Sequence, residues 1–263
     1  GTNNVYALHH NAPASTATHP KAQALQATSG TFTSDVSLGN SDKLILGAGS
    51  DLQLYHDGTH SYIDEVGTGS LYVRASIIRW TNADGSETLG GVGSDDGWFF
   101  KADNTTALNI DSAGHVTKPL QPAFLARPTD TSSAISVDSY YTVLMATEVF
   151  DQNGDLASNT FTAPVTGKYQ LNAAVFLYNL DAAAQYYFIQ IHTSNRTYQC
   201  LMEPDTAGDA SYDPPYWFLG MNQLCDMDAS DTAVLRVYQS GGASQTTVIA
   251  DSNGTWFSGF LVA

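Results

Sequence analysis

Positive charge is scarce in this chain. Ten Lys and Arg stand against 26 Asp and Glu in 263 residues, a formal net charge of −16. Phosphate backbones are held mainly by basic groups that release counterions, so this balance argues against nucleic-acid binding. The acid excess serves solubility, or alternatively divalent-cation binding. No run of about 18 apolar residues occurs, so no stretch reads as a membrane-spanning helix and no membrane insertion is expected. Only two cysteines are present, Cys200 and Cys225, and they form no CxxC pair, which argues against a zinc site. Each lies in an apolar β-like run. They read as two buried thiols, with a cross-strand disulfide as the alternative. G-x-S-x-G, Walker A, H-E-x-x-H and dinucleotide-binding fingerprints are all missing, and no catalytic residues are assigned. The chain is therefore expected not to be an enzyme. A collagen-like Gly-X-Y tract is also lacking.

What is present is β-like. Aromatic residues make up 11% of the chain, 14 of them Tyr, while charged residues supply only 14%. Strands with uncharged polar faces have this composition. Residues 1–30 show no sustained apolar period and read as an N-terminal arm, extended or with a short helix around Lys21–Ala27. No leader pattern opens the chain, whose start reads as a cloning remnant or the sequel to a missing portion.

Residues 31–118 read as short strands between Gly, Asp, Asn and Ser turns. Lys43–Leu46, Leu52–His56, Ser61–Ile63 and Ser70–Val73 alternate briefly, and Asp57-Gly58 signals a two-residue hairpin turn. Ile77–Thr81, Trp98–Ala102 and Ala107–Ile110 follow. Such strands are too short to close a core alone. They are expected to form a slender intertwined trimeric shaft, or alternatively a small independent β-domain. DLQLYHDGTHSYIDEVGTGSLYVRA (Asp51–Ala75) and ALNIDSAGHVT (Ala107–Thr117) resemble repeat segments of bacteriophage tail-fibre proteins.

Pro119 and Pro122 mark a junction. Residues 119–263 carry longer apolar strands: Pro122–Arg127, Tyr140–Ala146, Thr160–Pro164, Gly167–Leu177, Tyr186–Thr193, Tyr198–Met202, Trp217–Cys225, Ala233–Gln239 and Phe257–Val262. The fold class expected is all-β, with this region a jelly-roll β-sandwich head. Tyr169, Leu171, Ala173, Val175 and Leu177 share one side of a strand, and Gln170, Asn172, Ala174, Phe176 and Tyr178 the other. Tyr186-Tyr187-Phe188-Ile189 is apolar on both sides, more than one core requires. FTAPVTGKYQLNAAV (Phe161–Val175), MDASDTAVLRV (Met227–Val237) and WFSGFLV (Trp256–Val262) resemble the C1q/TNF-like family, with Ser230 where that family has Gly. The resemblance implies a homotrimer with an aromatic face of each head on the axis, and binding rather than catalysis.

Several residues could hold ligands. His56 and His60 flank a turn and could meet a metal in a trimer. Asp151-x-Asn153-Gly154-Asp155 opens like a calcium loop but lacks the bidentate Glu of an EF-hand, so Asp151 and Asp155 suit at most a looser site for calcium or another divalent cation. Asp226, Asp228 and Asp231 form a second acidic cluster. Asn104, Asn195 and Asn253 head glycosylation sequons, relevant only in a secreting eukaryote. The longest loop, Glu203–Tyr216, is stiffened by prolines, and its Asp209, Tyr212, Asp213 and Tyr216 offer the rings and carboxylates that bind sugars. The alternative is an ordinary loop whose tyrosines pack on the sandwich.

These readings converge on a phage fibre or tail-tip protein on the virion, released outside the cell after host lysis. Its partners would be two further copies, other tail proteins, and a host cell-surface glycan or protein. A structural cap without receptor binding and a secreted C1q-like lectin are the alternatives. A glycan-degrading enzyme would need a carboxylate pair, and the middle region is too short for the long β-helix that polysaccharide-cleaving spikes use.

Overall fold

The computed structural model describes residues 31, 33–93, 97–204, 212–250 and 254–263. The expected arm and its Lys21–Ala27 helix lie outside them. The described residues are all-β, in two compact units that divide after Arg74.

In the first unit, β1 (Lys43–Leu46), β2 (Leu52–His56) and β3 (Ser61–Glu65) form an antiparallel sheet in chain order. The β2–β3 turn is four residues long, not two. A two-residue turn needs positive φ at both central positions, and here only Gly58 has it (φ 104°). Asp57 instead accepts the Thr59 and His60 amides at 2.7 Å each, which sets a wider turn. Ser70–Val73 is no strand; it pairs with nothing among the described residues, and Leu71, Tyr72 and Val73 are exposed.

The second unit opens with a meander of β4 (Ile78–Thr81), β5 (Thr88–Val92), β6 (Trp98–Ala102), β7 (Thr105–Ile110) and β8 (Val116–Thr117). Asp103 and Asn104, both at positive φ, make the tight β6–β7 turn. A side chain at Gly91 would come within 2.0 Å of the Ile78 carbonyl oxygen, so glycine lets β4 and β5 approach.

The rest is a two-layer sandwich. Its strands are β9 (Ala123–Arg127), β10 (Tyr140–Thr142), β11 (Thr147–Asp151), β12 (Leu156–Ala157), β13 (Thr160–Thr162), β14 (Gly167–Tyr178), β15 (Tyr186–Thr193), β16 (Thr197–Met202), β17 (Tyr216–Met227), β18 (Thr232–Ser240), β19 (Thr247–Val248) and β20 (Trp256–Leu261). One sheet runs β12-β13-β18-β15-β16, with β10 also on β18; the other runs β11-β9-β20-β14-β17, with β19 also on β14. We call them the β18 sheet and the β14 sheet. The chain passes from sheet to sheet between β14 and β15, β16 and β17, and β17 and β18, which makes a jelly roll. The segment expected as one strand, Tyr140–Ala146, is such a crossing: β10 ends at Thr142, Val143 and Met145 bury their side chains, and β11 begins in the other sheet.

Among the described residues, every buried hydrophobic side chain lies between Phe124 and Phe257. β14 sends Tyr169, Leu171, Ala173, Val175 and Leu177 into this core, opposite Tyr187, Ile189 and Ile191 of β15 and Ala233, Leu235 and Val237 of β18. Phe124 stacks on Phe161 (4.7 Å between centroids) and meets Phe257 edge to face (5.1 Å). The Tyr169 hydroxyl donates to the Val165 carbonyl, and the Tyr187 hydroxyl accepts the Asp181 amide, so both buried phenols are satisfied. Gly259 stands where a side chain would strike Leu171 and Phe124.

Ser230 holds the left-handed conformation (φ 75°) in the turn before β18. Its amide donates to the Ala163 carbonyl at 2.7 Å, so the turn is pinned to β13's end. An L-residue there costs about 1–2 kcal/mol, partly offset because glycine loses about 0.4–1 kcal/mol more on folding. Ser230→Gly is therefore expected to stabilise the protein by about 0.5–1 kcal/mol. Chemical denaturation of the two proteins checks this, and a lower midpoint for the glycine variant would contradict it.

Candidate functional site

The outer face of the β14 sheet carries apolar side chains that are left uncovered. Along β14 the outward residues are Gln170, Asn172, Ala174, Phe176 and Tyr178. Their register partners on β17 are Leu224, Asn222, Gly220, Phe218 and Tyr216. Phe218 and Tyr216 are each 55% exposed and Leu224 52%. Tyr216 stacks on Phe176 (5.4 Å) and leans on Tyr178 (5.2 Å). On the other flank, a groove of about 620 Å³ runs over Leu125, Val149, Phe150, Trp256 and Phe260, with Arg127, Asn172 and Ser258 as polar members. Exposed apolar side chains gathered on one face, rimmed by polar groups, mark interaction surfaces.

Three of the four loop residues expected to bind sugar are described, and each has its own surroundings. Asp209 lies outside the described residues. Tyr216 is the first residue of β17 and belongs to the aromatic patch just described. Asp213 accepts the Ala182 amide and the Gln245 side-chain amide, both at 2.9 Å; these bonds, the Ala182 amide first, hold its carboxyl below the usual range. It pins two loops together. Tyr212 is exposed.

The Asp151–Asp155 turn has a definite task. Asp151 spends its two oxygens on the Asp155 and Leu156 amides (3.1 and 2.8 Å). The Gln152 amide group donates to the carbonyls of Lys118, Pro119 and Gln121, and Asn153 donates to that of Leu120. Gln121 in turn donates to the Leu261 carbonyl. The turn is thus a clasp that fixes the 118–121 segment against the sandwich. Asp155 buries an oxygen that has no partner. Burial, and secondarily the Asp151 charge, push its carboxyl above the usual range.

The other acidic and histidine candidates serve turns. Asp57 is held below the usual range chiefly by the His60 amide, and also accepts the Tyr62 hydroxyl. His56 Nδ1 is 3.2 Å from the Ser61 hydroxyl, and the His60 ring lies edge-on to Tyr62. Asp226 is bonded to Lys168, which lowers its pKa, and lies 3.9 Å from Arg196. Asp231 accepts the Ser194 hydroxyl and the Asp228 amide. Among the described residues no three His, Cys, Asp or Glu side chains gather as a metal would need. Cys200 and Cys225 are free thiols; Cys225 is buried, which pushes its pKa up to about 11, and Cys200 is half-buried. A thiol so held is a poor nucleophile.

No family model matches the chain, and no curated protein matches it. Similar solved structures cover 54% of this chain. Murine APRIL at pH 8.5 aligns over 99% of its length at 11% identity (TM-score 0.40), and the globular domain of zebrafish complement 1qA over 98% at 14% (0.39). Eiger TNF from S. frugiperda aligns over 92% at 11% (0.40). The jelly roll itself rests on the ladder order given above.

Asp155 supplies a pH test. Because its folded pKa is raised, the acid form favours folding. That contribution is whole below the unfolded carboxyl pKa, about 3.9, and is lost as pH rises through the folded value. Asp155→Asn should therefore raise Tm at pH 7, by about 2–4 °C if the relief is about 1 kcal/mol. Near pH 3 the two proteins should melt alike. Thermal melts at both pH values check this; equal melting at pH 7 would contradict it.

Proposed function

We propose that the chain is a homotrimeric attachment protein whose heads pack on one another through the outer face of the β14 sheet. The observation that carries this reading is the patch of exposed Tyr178, Tyr216, Phe218, Leu224 and Phe260, with half-buried Phe176 among them, on a sandwich whose own core is already complete. A second copy supplies what such a face needs, and rotation about one axis closes the set. The strands before the head have the same need. Leu44, Ile45 and Leu46 of β1 are about half exposed, and other copies of the same strands would cover them.

In this reading residues 1–30 are an arm, 31–118 the fibre portion, and 119–263 the head. The setting that fits the fibre-like segments is a phage tail fibre or tail tip, with the head held on a host surface receptor, a glycan in the first instance. Three copies of a weak site add through avidity. The role is binding without chemistry. The Gln152 clasp favours a second, structural component, since it fixes the stem's last residues to the head.

Replacing Phe218 and Leu224 together by Asp puts charge into the centre of the patch. The variant head should keep its β-sheet circular dichroism. Attachment of the labelled full chain to susceptible bacteria should fall at least tenfold as avidity is lost. Undiminished attachment by the double variant would overturn this account of the face.

A further inference from the structure

The outer face of the β18 sheet carries a second, differently built surface. Registration across four strands lays two rows side by side. One row is Tyr140, Tyr238, Phe188 and Leu201; the next is Thr142, Arg236, Gln190 and Gln199. The neighbouring inward positions Val237 and Ile189 fill the core, so both rows lie on the outer side of the sheet; Tyr140, Leu201 and Gln199 are exposed there and Arg236 is half-buried, while Phe188 and Gln190 are buried. Phe188 and Tyr238 stack at 4.9 Å and 5° between planes, and Tyr186 continues the stack at 6.1 Å from Phe188. Tyr140 is turned 51° from Tyr238, is 54% exposed, and has the Arg236 guanidinium 5.8 Å from its ring centre.

Arg236 makes no ion pair and no side-chain hydrogen bond within the described residues, although acids outnumber bases 26 to 10 in the chain. Asp138 sits by the Tyr238 end of this face, where it accepts the Gly241 amide, and Glu203 follows β16 beside Tyr186; neither is ion-paired with Arg236. His192, one row further on, has its pKa lowered by burial and by Arg236, so it adds little positive charge. A guanidinium with Thr142 on one side, an exposed ring beside it and the exposed Gln199 amide two strands away has a matching ligand chemistry. Its fork suits a carboxylate, the amide and hydroxyl suit sugar hydroxyls, and the aromatic edge suits the C–H face of a pyranose.

We infer that Arg236, Tyr140 and Gln199 form a binding site for an acidic sugar residue, a uronic or sialic acid. The net charge of −16 narrows the class. It repels polyanions, whereas one carboxylate within an otherwise neutral glycan meets Arg236 within a screening length of about 8–10 Å. The inference deepens the attachment reading and rests on it for the glycan's source. The face lies on the opposite side of the sandwich from the proposed trimer patch, so the two can be broken separately.

The test uses the full chain and two probe pairs: methyl glucuronide against methyl glucoside, and the methyl glycoside of N-acetylneuraminic acid against its carboxyl methyl ester. Immobilised at high density, the acidic member of at least one pair should be bound about tenfold or more tightly than its neutral partner. Arg236→Gln should erase the preference, Arg236→Lys should restore part of it, and Tyr140→Ser should weaken both members. Mass and circular dichroism should not change. Equal binding of acid and neutral sugars, or an unchanged preference in Arg236→Gln, would overturn the site. If the labelled chain still attaches to bacteria in that case, the attachment reading survives and its receptor is held elsewhere. Binding of neither sugar, with attachment retained, would overturn the sugar assignment and leave a protein receptor. Absence of any attachment would overturn the broader reading.

Discussion

β14 is apolar along its whole inner face and aromatic at the end of its outer face, and the rest of the sandwich is arranged around that constraint. Its inward residues, Tyr169 to Leu177, are covered by the β18 sheet. A fully buried aliphatic or aromatic side chain is worth about 1.5–3 kcal/mol, so this one strand anchors the sandwich. Its outward residues Phe176 and Tyr178 meet Tyr216 and Phe218 of β17 but find no third layer. A two-sheet fold covers one face of each sheet only. The apolar character of the second face has no explanation within one chain, and a second copy supplies one.

The two outer faces then differ in kind. On the β14 sheet the exposed residues form a broad apolar patch with a few amides. On the β18 sheet the aromatic residues spend their faces on one another, and among the described residues the Arg236 guanidinium beside them makes no ion pair. Packing between like surfaces suits the first, and recognition of a small polar ligand suits the second. The clasp at Gln152 and Asn153 lies at neither face. It ties the segment before β9 to the turn after β11, so orientation of the head is set by hydrogen bonds to main-chain carbonyls.

Much of the fold could be read from the amino acids because β-alternation is a local signal. The β14 pattern assigned each residue to its side, and the long strands fell within a residue or two of where they are. The misses have physical causes. Gly90 and Gly91 have no side chains to alternate, so β5 gives no strand pattern in the sequence. Asp57 widened its turn with its own carboxylate, and Val143 and Met145 are buried in a crossing that reads like a strand. Sites were harder to read than strands. Asp213 and Asp151 look like ligands in the chain, yet their oxygens are taken by amides 4 to 32 positions away. Gln152 carries no sequence signal for a clasp. Tyr140, Phe188, Arg236 and Tyr238 come together only through the registers of three strands, which no single stretch of sequence displays.

The central claim is that the apolar β14 face is an interface between copies. Multi-angle light scattering on the full chain at micromolar concentration tests it most directly. The account predicts a particle of three times the 28.1 kDa chain mass. A monodisperse monomer of 28.1 kDa would contradict it.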